Sequence, residues 1–223
     1  MRVCFVSLCY NSLLHHKGVH MFTGLIREMA TVKSLATNTL TLKATYKPEM
    51  GDSIAINGTC LSVTALSHDG FSVELSPETQ KHVAMENYKG KVHIEPAMMM
   101  GDRFEGHIVQ GHVDAIGTIT QIKNSGNSYD VFVEISPKQI AYIVPKGSIT
   151  IDGVSLTVNE VFESSFRLTI IPITMKETLF GSYKVGTKVN IETDMFARYI
   201  EHILAHKKPA LDWKSVDQIT ALY

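Results

Sequence analysis

Cysteine is scarce in this chain, and the few cysteines are poorly placed for disulfide bonds. Of three in 223 residues, Cys4 and Cys9 lie within the first nine positions, and only Cys60 belongs to the body of the protein. This argues against a disulfide-bonded scaffold and is typical of a protein from a reducing compartment, which predicts a cytoplasmic location.

Signatures of several common function classes are also absent. The formal net charge is -1 and no run of five basic residues occurs, which argues against nucleic-acid binding. The sequence contains no stretch of eighteen apolar residues, the length needed for a membrane-spanning helix. Neither a GxGxxG nor a GxxxxGK loop is present, and no cysteine or histidine pair outside residues 1–20 is read as having metal-ligand spacing. We therefore expect no nucleic-acid partner, no membrane, no metal and no cofactor.

The two ends of the chain differ from its body. Residues 1–20 begin with an arginine and a short apolar stretch, but Asn11 and Ser12 interrupt it and no small-residue cleavage site follows. Despite three histidines, this segment favours a disordered leader over a metal site or a signal peptide. A segment of different character begins at Met21, and residues 207–223 form a tail.

The body of the chain repeats itself. Twelve residues from Ser53 read SIAINGTCLSVT, and twelve from Ser148 read SITIDGVSLTVN. Six positions are identical, where typical residue frequencies would give fewer than about one. The correspondence continues for about ninety residues, the length of a small domain and too long for a solenoid unit. We interpret it as a duplicated domain, with Cys60 in the first copy where Ser155 stands in the second.

Each copy carries the signals of short antiparallel strands. FSVELS, KVHIEP, YDVFVEIS and FRLTIIP are rich in valine, isoleucine, threonine and aromatic residues, and such runs recur every ten to fifteen residues. The dipeptides at Asn57-Gly58 and Asp152-Gly153 accept the positive φ that closes a hairpin. This pattern predicts an all-β fold of two small, closed or nearly closed barrels.

One segment after the last predicted strand is helical. TDMFARYIEHILAHKK has apolar residues at helical spacing, and Asp194 is a suitable N-cap. The resulting apolar stripe must be buried either against the barrels or against partner copies of the chain.

Four spaced motifs now carry a resemblance to a known family. MFTGLI at Met21, NGTCLSVT at Asn57, GDRFEGHIVQGHVD at Gly101 and DGVSLTV at Asp152 stand in the same order as in riboflavin synthase. The resemblance covers nearly the whole chain between the leader and the tail. It implies two similar six-stranded Greek-key barrels and a C-terminal helix through which three subunits associate.

The resemblance also implies domain limits. The expected N-terminal lumazine-binding barrel covers residues 21–106, and the C-terminal barrel covers residues 107–193. The trimerisation helix covers residues 194–206.

The implied reaction is a dismutation of two molecules of 6,7-dimethyl-8-(1-D-ribityl)lumazine. One molecule transfers a four-carbon unit to the other, which gives riboflavin and 5-amino-6-(D-ribitylamino)uracil in the last step of riboflavin biosynthesis. The resemblance implies a homotrimer with sites between subunits, and suggests lumazine synthase as a further partner. A reaction between two identical molecules needs two similar pockets, which gives the duplication a reason.

The motifs carry over two sets of substrate-binding residues. Those expected at the first pocket are Gly24, Leu25, Ile26, Cys60, Leu61, Ser62, Glu74, Leu75, Ser76, Pro77, Glu78 and Thr79. Those expected at the second are Gly111, His112, Val113, Lys146, Ser155, Leu156, Thr157, Thr169, Ile170, Ile171, Pro172, Ile173 and Thr174. Two positions depart from the family pattern: Ser62 usually is threonine, and Ile173 is glutamate in many members, which puts one polar contact in doubt.

A smaller set of residues could carry the chemistry. The catalytic candidates are His112, Cys60, Ser53, Ser155 and Thr157. The 7-methyl group of the lumazine must lose a proton, and an imidazole that titrates near neutrality makes His112 the candidate base. Ser53, Cys60 and Ser155 could each deliver a nucleophile to C7, although Cys60 is equally compatible with a small buried hydrophobe. His107 should face the other side of an extended strand, and is assigned a structural role.

Three other kinds of protein stand against this interpretation. A non-catalytic lumazine- or flavin-binding antenna protein would keep the barrels and lose polar groups that this chain retains. A flavin-dependent reductase would need a nucleotide-binding partner domain. A purely structural trimer would leave both polar motifs unexplained.

Overall fold

The computed structural model describes residues 21–206, so the predicted leader and tail lie outside the described residues. The first half contains β1 (Glu28–Ala36), β2 (Thr39–Lys43), β3 (Ser53–Ile56), β4 (Thr59–Ser67), β5 (Gly70–Glu74), α1 (Pro77–His82) and β6 (Lys91–Pro96). The second half contains β7 (Ala115–Asn124), β8 (Tyr129–Glu134), α2 (Pro137–Ile140), β9 (Ser148–Ile151), β10 (Val154–Val161), β11 (Ser165–Ile170), α3 (Pro172–Glu177), β12 (Lys188–Thr193) and α4 (Met195–Ala205).

The strands close into two antiparallel barrels of six strands each. Neighbouring strands in the first barrel are β1-β2-β5-β4-β3-β6, and the second repeats this order as β7-β8-β11-β10-β9-β12. The chain crosses from β2 to β3 and returns through β4 to β5, which pairs with β2 in a Greek-key path. The prediction of two six-stranded barrels with a C-terminal helix is confirmed, and the duplication extends to the topology.

Each barrel is filled by inward-facing apolar side chains. In β2 the buried Leu40 and Leu42 alternate with exposed or half-buried residues, as expected for a strand with one face in the core. Phe71 and Phe166, which occupy matching positions of the repeat, are fully buried in the two cores. Each such side chain contributes roughly 1.5–3 kcal/mol by its burial. Closure pairs every strand on both sides, so neither sheet has an open edge.

The two predicted hairpin turns meet between the barrels. Asn57 and Gly58 have φ values of 45° and 77°, and Asp152 and Gly153 have 44° and 84°, so all four residues are left-handed. Two consecutive left-handed residues form the type I′ turn that matches the twist of a hairpin. A Cβ on Gly58 would lie 2.7 Å from the Gly153 nitrogen, so this approach of the two turns requires glycine.

A buried polar network joins the barrels around Asp152. Its carboxylate accepts hydrogen bonds from the Asn190 N–H at 2.8 Å and from the Tyr183 hydroxyl. The His93 Nε2 accepts from the Leu179 N–H at 2.8 Å, so Nδ1 carries the proton and donates to the Asp152 carbonyl oxygen. Burial lowers the pKa of His93 to about 4, and the imidazole is therefore neutral at neutral pH.

Asp152 should make the stability of the protein depend on pH. Complete burial raises the pKa of Asp152 from 3.8 to about 7, against the smaller effect of its hydrogen bonds. The folded protein then holds a proton that the unfolded chain releases, so this contribution is complete below about pH 4 and is lost as the pH rises towards 7. Each pKa unit corresponds to about 1.4 kcal/mol, so the loss over this window is on the order of a few kcal/mol.

Asp152→Asn, which copies Asn57 of the first repeat, tests this expectation. Because His93 titrates in the opposite sense, the readout is the difference in unfolding free energy between variant and wild type. This difference should move in favour of the variant from pH 4 to pH 7 in denaturant titrations. The matched control is Glu163→Gln, which replaces an exposed loop carboxylate by the same change of side chain. A pH-independent difference for Asp152→Asn would contradict the expectation.

The C-terminal helix leaves its apolar stripe exposed. The helix begins where predicted, because the Asp194 carboxylate accepts a hydrogen bond of 2.7 Å from the Phe196 N–H. The stripe residues, each more than half exposed, are Phe196, Tyr199, Ile200, Ile203 and Leu204. Within a single chain, the stripe is therefore not buried against the barrels. In the described part of the chain, no helix has the length and apolar character needed to cross a membrane.

Candidate active site

The repeated motif forms an equivalent hairpin in each barrel. In the first barrel, β3 pairs with β4 so that Ala55 lies opposite Cys60. In the second, β9 pairs with β10 so that Thr150 lies opposite Ser155. Cys60 and Ser155 both point away from the cores, while Leu61, the residue after Cys60, is buried in the first core. The polar positions of the motif are therefore presented on the outside of each barrel.

A glycine approaches each of these polar positions. The Ser155 N–H donates to the Gly24 carbonyl oxygen at 2.8 Å, and the Cys60 N–H donates to the Gly111 carbonyl oxygen at 2.9 Å. Both glycines are left-handed, with φ values of 79° and 74°. A Cβ on either would lie 2.6 Å from the Cβ of its partner. Only glycine fits at these two positions.

The glycine contacts differ from the predicted division of residues between the two pockets. Gly24 and Ile26 precede the first barrel but contact the second, whereas Gly111, His112 and Val113 precede the second barrel but lie beside Cys60 or the core of the first. Ile26 packs against the second core, and Val113 packs against the first. We call residues 23–26 and 110–113 the first and second crossing segments.

The crossing has a local cause. Phe22 and Val109, just ahead of the two segments, exchange both backbone hydrogen bonds at 2.8 and 3.1 Å. Both side chains are fully buried, and they fix the two segments side by side between the barrels. From this bridge, each segment continues onto the opposite barrel. We call the resulting sites the Cys60 site, with Gly111 and His112, and the Ser155 site, with Gly24.

The Cys60 site contains a cavity of 260 Å³. It is lined by Thr59, Cys60, Ser76, Glu78, Thr79, His82, Val83, Gly111, His112 and Val113. This volume falls just below the range of about 300–1,000 Å³ typical of small-molecule pockets. Larger cavities of 490 and 740 Å³ lie elsewhere and contain none of the candidate catalytic residues. Chemistry rather than volume therefore identifies the site.

Cys60 has the environment of a protonated thiol. It packs beside Phe22 and Val109. Burial raises the pKa of the Cys60 thiol; the Ser53 side chain opposes this effect, and the Glu192 charge adds to it. Because the thiolate is the nucleophilic form, this environment favours a contact or hydrogen-bonding role for Cys60 over nucleophilic attack.

His112 stands at the mouth of the Cys60 cavity. Its N–H donates to the Glu192 carboxylate at 3.0 Å, which fixes the backbone and leaves the imidazole free to face the cavity. Partial burial, followed by the positive charge of Arg198, lowers the pKa of His112. The imidazole is therefore neutral at neutral pH, the form that can accept a proton.

His107 contacts Ser155 directly, which the sequence did not predict. Its Nδ1 lies 2.7 Å from the Ser155 hydroxyl oxygen. Burial lowers the pKa of His107, while the charge of Asp194 opposes this shift. A neutral imidazole hydrogen-bonded to a serine is the arrangement that can take the serine proton during nucleophilic attack. The GHIVQGHVD motif contained the signal, since each of its two histidines follows a glycine.

The segments that follow β5 and β11 lie at matching places. Ser76, Glu78 and Thr79, at the start of α1, line the Cys60 cavity. Ile171, Ile173 and Thr174 hold the same repeat positions at the start of α3, and the two isoleucines are 54% and 56% exposed. The remaining exposed members of these segments are Glu74, Pro77 and Pro172.

Other predicted residues are less accessible or lie apart. The side chains of Leu75 and Ile170 are buried in the cores, and Leu156 packs against the second core, so these three would meet a ligand mainly through their backbone. The Thr169 hydroxyl donates to Asp130 at 2.9 Å. Ser62, Thr157 and Lys146 are exposed, and Lys146 has a left-handed φ of 66°. The contribution of all these residues to binding stays a prediction.

Two buried glutamates escaped the sequence analysis. Glu95 ends the run KVHIE, and Glu192 ends the equivalent run KVNIE. The repeat of these two runs was a signal that could have identified both glutamates. Each carboxylate accepts hydrogen bonds from the backbone of a crossing segment. Across residues 21–206, no group of three or more histidine, cysteine, aspartate or glutamate side chains is arranged to hold a metal ion.

Comparison with known proteins matches both halves of the chain. Residues 23–97 and 110–194 each match the family model described as lumazine binding domain. The riboflavin synthase of Actinobacillus pleuropneumoniae is 43% identical over 204 residues, which cover 87% of this chain and 94% of that protein. The riboflavin synthase of Bacillus subtilis (strain 168) is 41% identical over 196 residues, or 84% and 91% of the two chains.

Solved structures agree in fold. LumP complexed with riboflavin superposes with a TM-score of 0.70 at 21% identity, covering 78% of this chain and 99% of that one. LumP complexed with 6,7-dimethyl-8-(1'-D-ribityl) lumazine gives a TM-score of 0.67 at the same coverage.

The two barrels and the two family matches define a protein with a duplicated lumazine-binding domain. Its relatives are about 40% identical over more than four fifths of its length. The chain belongs to the riboflavin synthase family.

Proposed function

We propose that this chain catalyses the dismutation of two 6,7-dimethyl-8-(1-D-ribityl)lumazine molecules to riboflavin and 5-amino-6-(D-ribitylamino)uracil. The observation that carries the proposal is the pair of equivalent polar sites, one on each barrel, that differ at Cys60 and Ser155. Two similar sites suit a reaction of two identical molecules, and a chemical difference between them suits two molecules with different roles. Holding both reactants in place contributes up to about 7–11 kcal/mol in well-aligned cases.

The two sites have complementary chemistry. At the Cys60 site, the neutral imidazole of His112 takes a proton from the 7-methyl group of its lumazine. At the Ser155 site, the hydroxyl of Ser155 adds to C7 of the second lumazine, or delivers water to it, while its proton passes to His107. Ser53 and Thr157 supply hydroxyl groups for the ribityl chain or for proton transfer.

The complete reaction site forms between subunits of a homotrimer. The Cys60 cavity is open in one chain, and the apolar stripe of α4 has no partner within that chain. Ile171 and Ile173 place further exposed apolar surface beside the Ser155 site. Burying these surfaces between copies would bring the Cys60 site of one chain to the Ser155 site of another.

The proposal is tested by mixing the purified protein with the lumazine in the presence of a chelator. We expect riboflavin to form, with one riboflavin for every two lumazines consumed, and with no increase on addition of NADPH, ATP or a divalent metal. Riboflavin is detected by its absorbance and fluorescence after separation. Binding of the lumazine without riboflavin formation would instead support the non-catalytic antenna protein. A strict requirement for metal or nucleotide would also contradict the proposal.

A further inference from the structure

Glu95 and Glu192 are buried carboxylates at matching positions. Each is the last residue but one of its strand, Glu95 in β6 and Glu192 in β12, and their exposed fractions are 3% and 2%. A buried carboxylate is costly unless its oxygens accept several hydrogen bonds. These two glutamates therefore need a structural explanation.

Each glutamate binds the backbone of one crossing segment. Glu95 accepts from the Thr23 N–H at 2.8 Å, the Thr23 hydroxyl at 3.0 Å and the Gly24 N–H at 3.1 Å. Glu192 accepts from the N–H groups of Gln110 at 2.8 Å, Gly111 at 2.8 Å and His112 at 3.0 Å. The crossing segments lie outside the strands, so the carboxylates supply acceptors that a neighbouring strand would otherwise supply.

The consequence is a crossed arrangement of support. Glu95 belongs to the first barrel, but the segment that it binds places Gly24 against Ser155 of the second barrel. Glu192 belongs to the second barrel, but the segment that it binds places Gly111 against Cys60 of the first. Each carboxylate thus contacts the backbone that forms one wall of the site on the other barrel.

We propose that Glu95 and Glu192 are positioning residues, and that each sets the geometry of the substrate site on the opposite barrel. Glu192 holds the Cys60 site and the backbone of His112 in place, and Glu95 holds the Ser155 site in place. This inference rests on the assignment of the two substrate sites in the proposed function.

The two supports are not equivalent, because only Glu192 is connected to α4. The Arg198 guanidinium lies 3.9 Å from the Glu192 carboxylate, 3.3 Å from the Asp114 carboxylate and 3.3 Å from the Gln110 side-chain oxygen. Through Arg198, the helix therefore contacts both Glu192 and Gln110 of the second crossing segment. We therefore expect changes at the helix to affect the Cys60 site more than the Ser155 site.

The Cys60 thiol provides a reporter for the first of these sites. Bound ligand should protect Cys60 from alkylation by iodoacetamide at alkaline pH, where part of the thiol ionises. Mass spectrometry of the Cys60 peptide separates it from the other cysteines. The probe is the 7-oxo analogue of the lumazine, in which oxygen replaces the reactive methyl group so that no turnover occurs. Wild type, Glu192→Gln and Glu95→Gln are compared at increasing analogue concentration. Glutamine keeps the shape of glutamate but directs an NH2 group at N–H donors.

The inference predicts a selective effect. Glu192→Gln should raise the concentration for half-protection of Cys60 at least tenfold, whereas Glu95→Gln should change it by less than about twofold. In equilibrium dialysis, Glu95→Gln should instead weaken binding of the second analogue molecule. Melting temperatures of both variants are measured in parallel, since a merely structural role would lower both without this selectivity.

Each other outcome has a defined meaning. Equal shifts of Cys60 protection in the two variants, or a larger shift in Glu95→Gln, would overturn the inference. If the analogue binds wild type without protecting Cys60, the assignment of the Cys60 site in the proposed function fails instead. If Glu192→Gln does not fold, Glu192→Asp is measured in the same way, and failure of both to fold would show a stability role and overturn the inference.

Discussion

Replacement of Ile200 and Ile203 by glutamate is expected to dissociate the oligomer and to remove nearly all of the activity. Both side chains lie on the apolar stripe of α4 and are 59% and 65% exposed in a single chain. If this stripe forms the contact between subunits, the double variant places charges in an apolar interface. The Cys60 site and the Ser155 site of different chains then no longer face each other. The loss should exceed about hundredfold, because correct placement of two reactants is worth up to about 7–11 kcal/mol.

The oligomeric state is measured by analytical ultracentrifugation, and activity by riboflavin formation at the same protein concentration. The circular dichroism of the barrels should stay as in wild type, because the stripe does not pack on them. The matched control is Glu201→Gln, an exposed position of the same helix outside the stripe, which should remain a fully active oligomer. A monomeric double variant with wild-type activity would show that the reaction site is complete within one chain.

Replacement of His112 by alanine is expected to lower kcat by about 10²–10⁴-fold, the usual contribution of a positioned acid–base group. Affinity for the lumazine should change little, because the lost interaction belongs to the transition state. Since partial burial and Arg198 lower the pKa of His112, the acid limb of the wild-type pH–rate profile should lie below the ordinary imidazole value of 6.5. That limb should be absent in the variant. A parallel loss of affinity would assign His112 to binding rather than proton transfer.

The difference between Cys60 in the first repeat and Ser155 in the second is tested in the same assay. Cys60→Ser, which makes the first motif resemble the second, should slow turnover and leave lumazine binding nearly intact. Ser155→Ala should slow turnover by a different factor. His107→Ala should match Ser155→Ala, and the double variant should be no slower than either single variant, because residues that act as a unit are not additive. If the Cys60 and Ser155 variants behave alike and merely weaken binding, the difference between the motifs has no role in catalysis.

Most of the fold could be predicted because the repeat and the strand pattern are local. The Asn-Gly and Asp-Gly dipeptides formed the predicted left-handed turns, and Asp194 caps the helix as expected. β1 and β2 were not among the strands named from the sequence. In β1, a bulge between Val32 and Ser34 shifts the register and breaks the alternation of buried and exposed residues. α2 was also missed, because its four residues are too few to show a helical period.

The candidate residues were also visible in the sequence, but their grouping was not. The two crossing segments resemble each other, so either could pack against either barrel without changing any local pattern. The family motifs assigned Gly24 to the first pocket, whereas the structure places it against Ser155. In the same way, the period of a strand turned His107 away from His112, but could not show that His107 meets Ser155.

The sequence by itself determined the duplication, the two barrels, the turns between strands and the residue types at each site, because these depend on neighbours within a few positions. Only the tertiary structure decided which segment completes which site, since that depends on contacts between residues far apart in the chain. Three such contacts fix the arrangement. They are the bridge between Phe22 and Val109 and the hydrogen bonds that Glu95 and Glu192 accept from the crossing segments. Because the carboxylates of Glu95 and Glu192 are buried, each needs hydrogen-bond donors, and in the crossed arrangement the crossing segments supply them.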